Sequence, residues 1–384
     1  MTALAPASLR ALAFLAECPA TPLSHLLGGP EKLLAGGRPV QVTIYVTRKC
    51  NLRCIHCYID AGSPLPDELT AAEWARAFGE LAELGTEDLY ILGGEPMTRE
   101  DIYEIIRSAS SLGMRVSMST NGTLIGPAEA RRLREAGLAE AQVSIDGPTR
   151  EVNDAIRPPG SFDRAVRAVR LLKEQGIRTT IGYVVLPQNA RYVEEMVELA
   201  ESLGADGINF ETVVTFGRAA RAAIYLPRRL GLEVLRAIER AASRHSIPIT
   251  LSSFRFFVDD LGAAYSEARA LVGGRPYRTC PAGLSRMVID ANGDVYGCEL
   301  LMVPQLREGN VRRDSLRDIW ERGFRAFRER DPADIEVCSS CSMRDMCWAG
   351  CPARALASYG TLSAPDPACP LVQAAKLKAG PGAR

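Results

Sequence analysis

What this chain lacks narrows the field first. It carries no net charge, with 46 Lys+Arg against 46 Asp+Glu, so nothing in its balance attracts nucleic acid or an anionic membrane surface. No apolar run approaches the roughly 20 residues that a bilayer span needs. An export signal is missing too. Residues 1–20 carry Arg10 and the short apolar stretch Ala11-Leu12-Ala13-Phe14-Leu15-Ala16 ahead of Cys18. Glu17 stands where a lipoprotein cleavage site needs a small residue, and there is no twin-arginine pair. Residues 7–17 read instead as an amphipathic helix, and the expected location is the cytoplasm.

The 47% hydrophobic and 24% charged fractions are those of an ordinary globular protein and exclude global disorder. At about 150 residues per domain, 384 residues allow two domains or one large barrel with an appendage. Cysteine departs from the ordinary. Eleven stand at positions 18, 50, 54, 57, 280, 298, 338, 341, 347, 351 and 369. A chain this long buries a large core without disulfide staples. Ten of the eleven fall in two groups, a spacing that reads as metal binding. Cys18 belongs to neither and reads as a free buried thiol.

From Val40 onward, strand-like and helix-like segments alternate every 25 to 30 residues. The pattern predicts strands over 40–47, 88–92, 114–119, 141–145, 178–185 and 207–211. Helices are predicted over 70–84, 99–112, 127–136, 162–175, 190–203 and 228–244. Thr70 with Glu73 makes a capping box, and Gly85, Gly113, Gly137, Gly176 and Gly204 each follow a helix as stops. Six βα units imply a parallel sheet, hence an α/β fold with a partial (β/α)6 barrel whose functional face lies at the C-terminal strand ends. The domain reading is a helical lead-in over 1–39, the barrel over 40–245, a linker over 246–279, a cysteine-rich domain over 280–375 and a frayed tail over 376–384. Within the cysteine-rich domain, residues 287–296 carry a hairpin signal. Asp290, Asn292 and Asp294 mimic a calcium loop, but no glutamate closes it at the required spacing, and the turn reading is preferred. A helix is predicted over 314–328.

Cys50, Cys54 and Cys57 lie at C-x3-C-x2-C directly after the first strand. Three thiolates on one short loop can hold three irons of a cubane [4Fe-4S] cluster and leave the fourth iron open. A structural zinc site wants four ligands; His56 is available, but its neighbour Cys57 makes joint ligation of one ion strained. The run from Thr47 to Tyr58 (TRKCNLRCIHCY) resembles the cluster loop of the radical S-adenosylmethionine (SAM) superfamily. Further motifs follow in that family's order: Gly93-Gly94-Glu95-Pro96 after the second strand, Ser119-Thr120-Asn121-Gly122 after the third and Ser144-Ile145-Asp146-Gly147 after the fourth. The resemblance covers roughly residues 40–215. It implies that Gly93, Gly94 and Glu95 engage the SAM amino group. Ser119, Asn121, Ser144 and Asp146 would surround its ribose and methionine portion, and Arg157 would meet its carboxylate. It also implies reductive cleavage of SAM to a 5′-deoxyadenosyl radical that takes hydrogen from an unactivated carbon. Glu211 and the turn Phe216-Gly217-Arg218-Ala219 are candidates for the adenine or substrate side.

The second group runs Cys280, Cys298, Cys338-x2-Cys341-x5-Cys347-x3-Cys351 and Cys369. It resembles the SPASM extension, a domain with auxiliary iron–sulfur clusters, although C-x2-C pairs are also zinc language. The resemblance implies that Cys338, Cys341, Cys347 and Cys369 ligate an outer cluster and that Cys280, Cys298 and Cys351 hold an inner one. The stretch from Pro281 to Gly297 lacks the further cysteine that many relatives supply to the inner cluster. The inner cluster is then left with an open iron, a non-cysteine ligand or a smaller nuclearity. By the same resemblance Glu299, next to Cys298, is a candidate general base facing the substrate.

Two auxiliary clusters suit an enzyme that moves an electron out of a substrate radical. The leading expectation is a maturase that crosslinks, thioether-bonds or decarboxylates a ribosomally made peptide, and the segments 151–157 and 365–369 look like those of peptide-derived redox-cofactor maturases. About 40 residues precede the barrel, too few for a fused leader-binding domain, so a separate peptide-delivery protein is expected, with a flavodoxin or ferredoxin as electron donor. The alternative substrate is a tetrapyrrole side chain, as in alternative haem and haem d1 synthesis. A non-catalytic iron–sulfur carrier or zinc-stapled binding module would leave Glu95 and the strand-end motifs without a purpose.

Overall fold

The computed structural model describes residues 6–15, 37–272 and 278–379; Cys18 lies outside them. Ten strands among the described residues form one sheet. Seven parallel strands follow in chain order: β1 (Gln41–Tyr45), β2 (Asp88–Leu92), β3 (Arg115–Thr120), β4 (Glu140–Ser144), β5 (Arg178–Val185), β6 (Ile208–Thr212) and β7 (Ile249–Ser252). The longer helices between them are Ala71–Glu83, Ile102–Ser111, Pro127–Glu135, Ser161–Glu174, Val193–Ser202 and Arg228–Arg244. Strands β1 to β6 and these six helices match the sequence reading to within three residues. Local chemistry explains the agreement. Thr70 and Glu73 form the reciprocal capping box, and the five glycine stops all take φ between +65° and +92°, a region closed to most side chains.

The sheet is bent, because alternate residues from five strands line one cavity. Tyr90 and Leu92 of β2, Ser119 of β3, Gln142 and Ser144 of β4, Gly182 and Val184 of β5, and Glu211 of β6 all reach it. Side chains two apart share a face, and faces of five strands meet only when the sheet curves into a partial barrel.

Sequence and structure part company in the last third. The expected linker holds a seventh parallel strand, β7, and a helix over Leu261–Leu271. β7 has four residues, all buried, so it shows no alternation to read. Helix Pro6–Leu15 covers this edge, with Phe14 edge-on to Tyr265 at 5.7 Å and Arg10 paired to Glu239 at 3.1 Å. The expected hairpin is β8 (Arg286–Ile289) and β9 (Asp294–Tyr296), turned at Gly293, with the short β10 (Gly309–Asn310) beside it. β8 also pairs in parallel with β1, from Gln41↔Arg286 to Ile44↔Ile289, so the cysteine-rich region extends the barrel sheet. The helix expected over 314–328 is broken into Leu316–Arg322 and Arg325–Arg328. Phe324 takes φ +60° at the break because its ring is buried against Trp320, with centroids 5.4 Å apart. Residues 376–379, expected to fray, continue the helix Pro370–Ala379.

Gly204 gives a clean test of the stop signals. Its φ is +65° and a Cβ there would meet nothing within 4 Å. Gly204→Ala should therefore cost only backbone strain, about 1–2 kcal/mol, and Gly204→Asn less. Denaturation midpoints of the two variants check this; equal losses would refute it.

Candidate active site

The cysteine loop has little regular structure and is held from outside. Cys50 N donates to Gly62 O at 3.0 Å and Gly62 N to Arg48 O at 2.9 Å, closing the loop on itself. From β2, Gly94 N donates to Thr47 O at 2.7 Å and Glu95 N to Lys49 O at 2.8 Å. A Cβ on Gly94 would stand 2.1 Å from Lys49 O, so only glycine lets the two segments meet. From β6, Arg218 donates to Cys57 O through its amide at 2.9 Å, to Cys54 O through Nε at 2.8 Å, and to Ala61 O and Asp60 through Nη1 at 2.9 Å each.

The cavity, counted together with its open mouth, spans about 1120 Å³. It brings together Cys50, Cys54 and Cys57 with Gly93, Gly94, Glu95, Ser119, Asn121, Ser144 and Arg157. Each sulfur receives one donor: Leu52 N to Cys50 at 3.4 Å, Arg157 Nη1 to Cys54 at 3.9 Å and Ala61 N to Cys57 at 3.4 Å. Burial pushes the Cys50 thiol up to about 11 and raises Cys54 as well. A nearby metal cation is what would let such thiols ionise. Among the described residues no three His, Cys, Asp or Glu side chains close on a single-ion position, so the sulfurs are spread along the wall. His56 lines the same wall with Nδ1 buried and unpartnered. Desolvation holds that imidazole near 4, hence neutral. Three donor-supported sulfurs, a glycine cradle and an orphaned ring nitrogen fit an iron–sulfur cluster with a small polar cofactor.

Glu95 is buried, and both its oxygens are engaged. Thr120 Oγ1 and Asn121 N donate to it at 2.7 Å each and Met97 N at 3.1 Å. Desolvation raises its pKa and those bonds pull it back. It thus ties the β2 loop to the end of β3 while lining the cavity.

Two expected residues stand elsewhere. Asp146 does not line the cavity: it is fully buried and accepts from Arg157 Nε at 2.6 Å and Val184 N at 2.9 Å, with His56 Nε2 3.4 Å away. It aims Arg157 and braces the cysteine loop. Glu299 does not reach the cavity either. Its carboxylate is enclosed and paired with Arg286 at 2.8 Å, and Arg286 also donates to Thr43 at 3.1 Å. The carboxylate that does enter the wall, beside Glu95, is Glu211. Its pKa is raised well above the ordinary range by burial and then by the charges of Glu299 and Asp146. Gln142, Gly182, Tyr58 and Tyr90 also line the cavity and were missed; Gln142 was legible as the residue two before Ser144. Tyr58 meets Tyr45 hydroxyl to hydroxyl at 2.5 Å.

In the C-terminal region Cys338, Cys341, Cys347 and Cys369 line one pocket. Burial pushes Cys338 up to about 12 and raises Cys369. Cys280 and Cys351, with Cys338, are close enough to Arg330 for their sulfurs to act on its charge. Cys298 precedes Glu299, whose partner Arg286 also acts on Cys280.

The model of the radical SAM superfamily matches residues 44–200, and that of SPASM, an iron–sulfur cluster-binding domain, matches residues 280–342. The chain belongs to the radical SAM superfamily and carries a SPASM domain. It is 32% identical over 350 residues to the AdoMet-dependent heme synthase of Oleidesulfovibrio alaskensis, covering 84% of this chain and 85% of the relative. It is 33% identical over 334 residues to the mycofactocin maturase MftC of Mycobacterium tuberculosis, covering 86% and 83%. The fold matches that of Streptococcus suis SuiB bound to S-adenosylmethionine, with TM-score 0.72 and 21% identity over 90% of this chain and 80% of SuiB. Cys347, Cys351 and Cys369 lie beyond the matched SPASM stretch, and the pocket brings Cys347 and Cys369 to the others. No described helix is long and apolar enough to cross a membrane.

Asp146→Asn should leave the buried Arg157 without its counter-charge and cost about 3 kcal/mol or more, read as a fall in melting temperature; an unchanged melting temperature would exclude the bracing role. Glu211 gives a pH test. Its folded pKa is raised, so its contribution is complete below the ordinary value of about 4.3 and is lost as pH rises toward the folded value. Glu211→Gln escapes that loss. Its melting temperature should gain on the wild type as pH rises from 4 to 8, and parallel curves would contradict the assignment.

Proposed function

We propose that the protein cleaves SAM reductively and uses the resulting radical to modify oxidatively a ribosomally made peptide, by crosslinking, thioether formation or decarboxylation. When bound, the first cluster and SAM would supply the 5′-deoxyadenosyl radical. The protein's own residues hold the reactants. Cys50, Cys54 and Cys57 are the ligands of the first cluster. Gly93, Gly94 and Glu95 present the β2 loop, Ser119, Asn121 and Ser144 offer neutral polar contacts, and Arg157 offers a guanidinium aimed by Asp146. The cavity is lined by the cysteine loop and by the ends of five strands, which suits a cofactor held beside a reacting side chain. The two C-terminal cysteine sets suit an oxidative outcome, since auxiliary clusters there would take an electron from the substrate.

The relatives support two substrates, a peptide and a tetrapyrrole. The charge of the cavity wall favours the peptide. A tetrapyrrole with several carboxylates wants cations, and both arginines of the wall are committed elsewhere: Arg157, aimed by Asp146, to the cofactor, and Arg218 to Asp60 and the cysteine loop. One of the SuiB structures is described as bound to its precursor peptide SuiA. A separate delivery protein for the peptide and a flavodoxin or ferredoxin as donor complete the proposal. A base role for Glu299 requires a proton path across the Tyr45–Tyr58 level, because the carboxylate itself is enclosed.

Protein purified without oxygen should hold about twelve irons per chain, four for each cubane. Cys369→Ala should lose about four of them and still form 5′-deoxyadenosine, whereas Cys54→Ala should form none. Incubation with a short precursor peptide, SAM and reductant should change the peptide's mass. A turnover product from a tetrapyrrole, with the peptide unchanged, would overturn the peptide reading.

A further inference from the structure

Arg330 is almost fully buried and holds the stretch of chain that joins the two C-terminal cysteine sets. Nε donates to Leu362 O at 2.7 Å, Nη1 to Trp348 O, and Nη2 to Ala349 O at 3.2 Å and Ala364 O at 3.0 Å. Every acceptor is a neutral main-chain carbonyl. Trp348 and Ala349 stand in the chain between Cys347 of the outer set and Cys351 of the inner one, and Ala364 leads toward Cys369. Sulfurs of both sets, Cys280 and Cys351 of the inner and Cys338 of the outer, are near enough to act on the guanidinium. Asp366, the carboxylate in the same field, is taken by Arg354 at 2.6 and 3.0 Å and by the amides of Cys351 and Ala368. A second guanidinium approaches the outer set from the barrel side: Arg255, fully buried, donates to Phe14 O at 2.9 Å and lies 3.8 Å from Cys347 Sγ.

A buried guanidinium whose acceptors are all neutral carries a large desolvation penalty unless a negative charge stands near it. Protonated thiols do not supply that charge; thiolates on iron do, and a cluster that gains an electron supplies more. Positive charge and hydrogen bonds near the sulfurs are among the factors that set a cluster's potential.

We propose that Arg330 is a positioning residue that holds one fixed positive charge near both the inner and outer auxiliary clusters and raises the reduction potential of both. The inference rests on the reading that both clusters are present. In the step it governs, a substrate-derived radical loses one electron, an oxidised auxiliary cluster gains it, and an external one-electron acceptor later removes it. The cation stabilises the cluster form that carries the extra negative charge, so the electron leaves the barrel instead of returning.

The test uses full-length protein reconstituted without oxygen, with midpoint potentials read by EPR-monitored redox titration. Arg330→Gln should shift both auxiliary midpoints to more negative values and leave that of the first cluster unmoved. Arg330→Lys, which keeps the charge and loses most of the carbonyl contacts, should stay near the wild type. Unshifted auxiliary midpoints in an iron-replete Arg330→Gln protein overturn the proposal, as does an equal shift in both variants. If Arg330→Gln fails to retain iron, Arg330→Lys decides: full iron and wild-type midpoints support the charge role, and lost iron overturns it. Wild-type protein with only about four irons would sink the two-cluster reading and the proposal with it. Twelve irons with unshifted potentials would sink the proposal alone.

Discussion

The site depends on main-chain hydrogen bonds that grip a loop with almost no structure of its own. Between Arg48 and Gly62 the chain makes only an isolated bridge, yet three sulfurs must keep fixed places on it. Amides of the β2 loop reach its start, Arg218 takes three of its carbonyls, and Ile55 N donates to Ile156 O at 3.2 Å. These contacts come from the ends of different strands, so the loop is only as well placed as the sheet beneath it. The glycines belong to the same constraint. Gly94 lets the β2 loop close on Lys49, and Gly217 lets the β6 turn close on Cys57 and Tyr58, whose carbonyls a Cβ there would meet at 2.6 and 2.4 Å.

The interior holds an unusual amount of charge for a barrel. Asp146–Arg157 and Arg286–Glu299 are enclosed pairs, and Arg255 and Arg330 are buried cations. Buried pairs of this kind add little net stability over well-packed apolar residues. Their value is directional: Asp146 turns a flexible Arg157 toward the cavity and Cys54, and Arg286 pins Glu299 under the floor. Such groups fix where polar atoms stand when a cofactor arrives, and that preorganisation is what a radical reaction needs from its container.

The sheet and its helices were legible because local signals agreed with the fold: caps, glycine stops and buried β runs all marked the same boundaries. The cysteine loop and the β2 glycines were legible from spacing. Asp146 was misplaced for a geometric reason. The resemblance put it beside Ser144 at the cofactor, but β4 ends at Ser144, and past a strand end the period of two no longer holds. Glu299 was misplaced because its partner Arg286 joins β1 only through pairing between residues far apart in the chain. The surroundings of Arg330, built from carbonyls 18 to 34 residues away, left no local mark at all.

The pairing of β8 with β1 decides what the second cysteine group can do. The first loop leaves the C-terminal end of β1. Arg286 pairs with Gln41 at the other end, and the antiparallel return of β9 brings the chain from Tyr296 to Cys298 back toward that level. Cys280 lies just before β8 and so begins there as well. From Gln41 to Tyr45 is four steps of about 3.3 Å, so about 13 Å of hydrogen-bonded strand stand between the two levels. An electron crosses such a span; a transferred atom or a bound substrate group does not. Because the separation is set by ladder hydrogen bonds within one sheet, it does not relax as a linker between two domains would. In the proposed function the inner set would therefore serve the electron's exit and not the reacting wall.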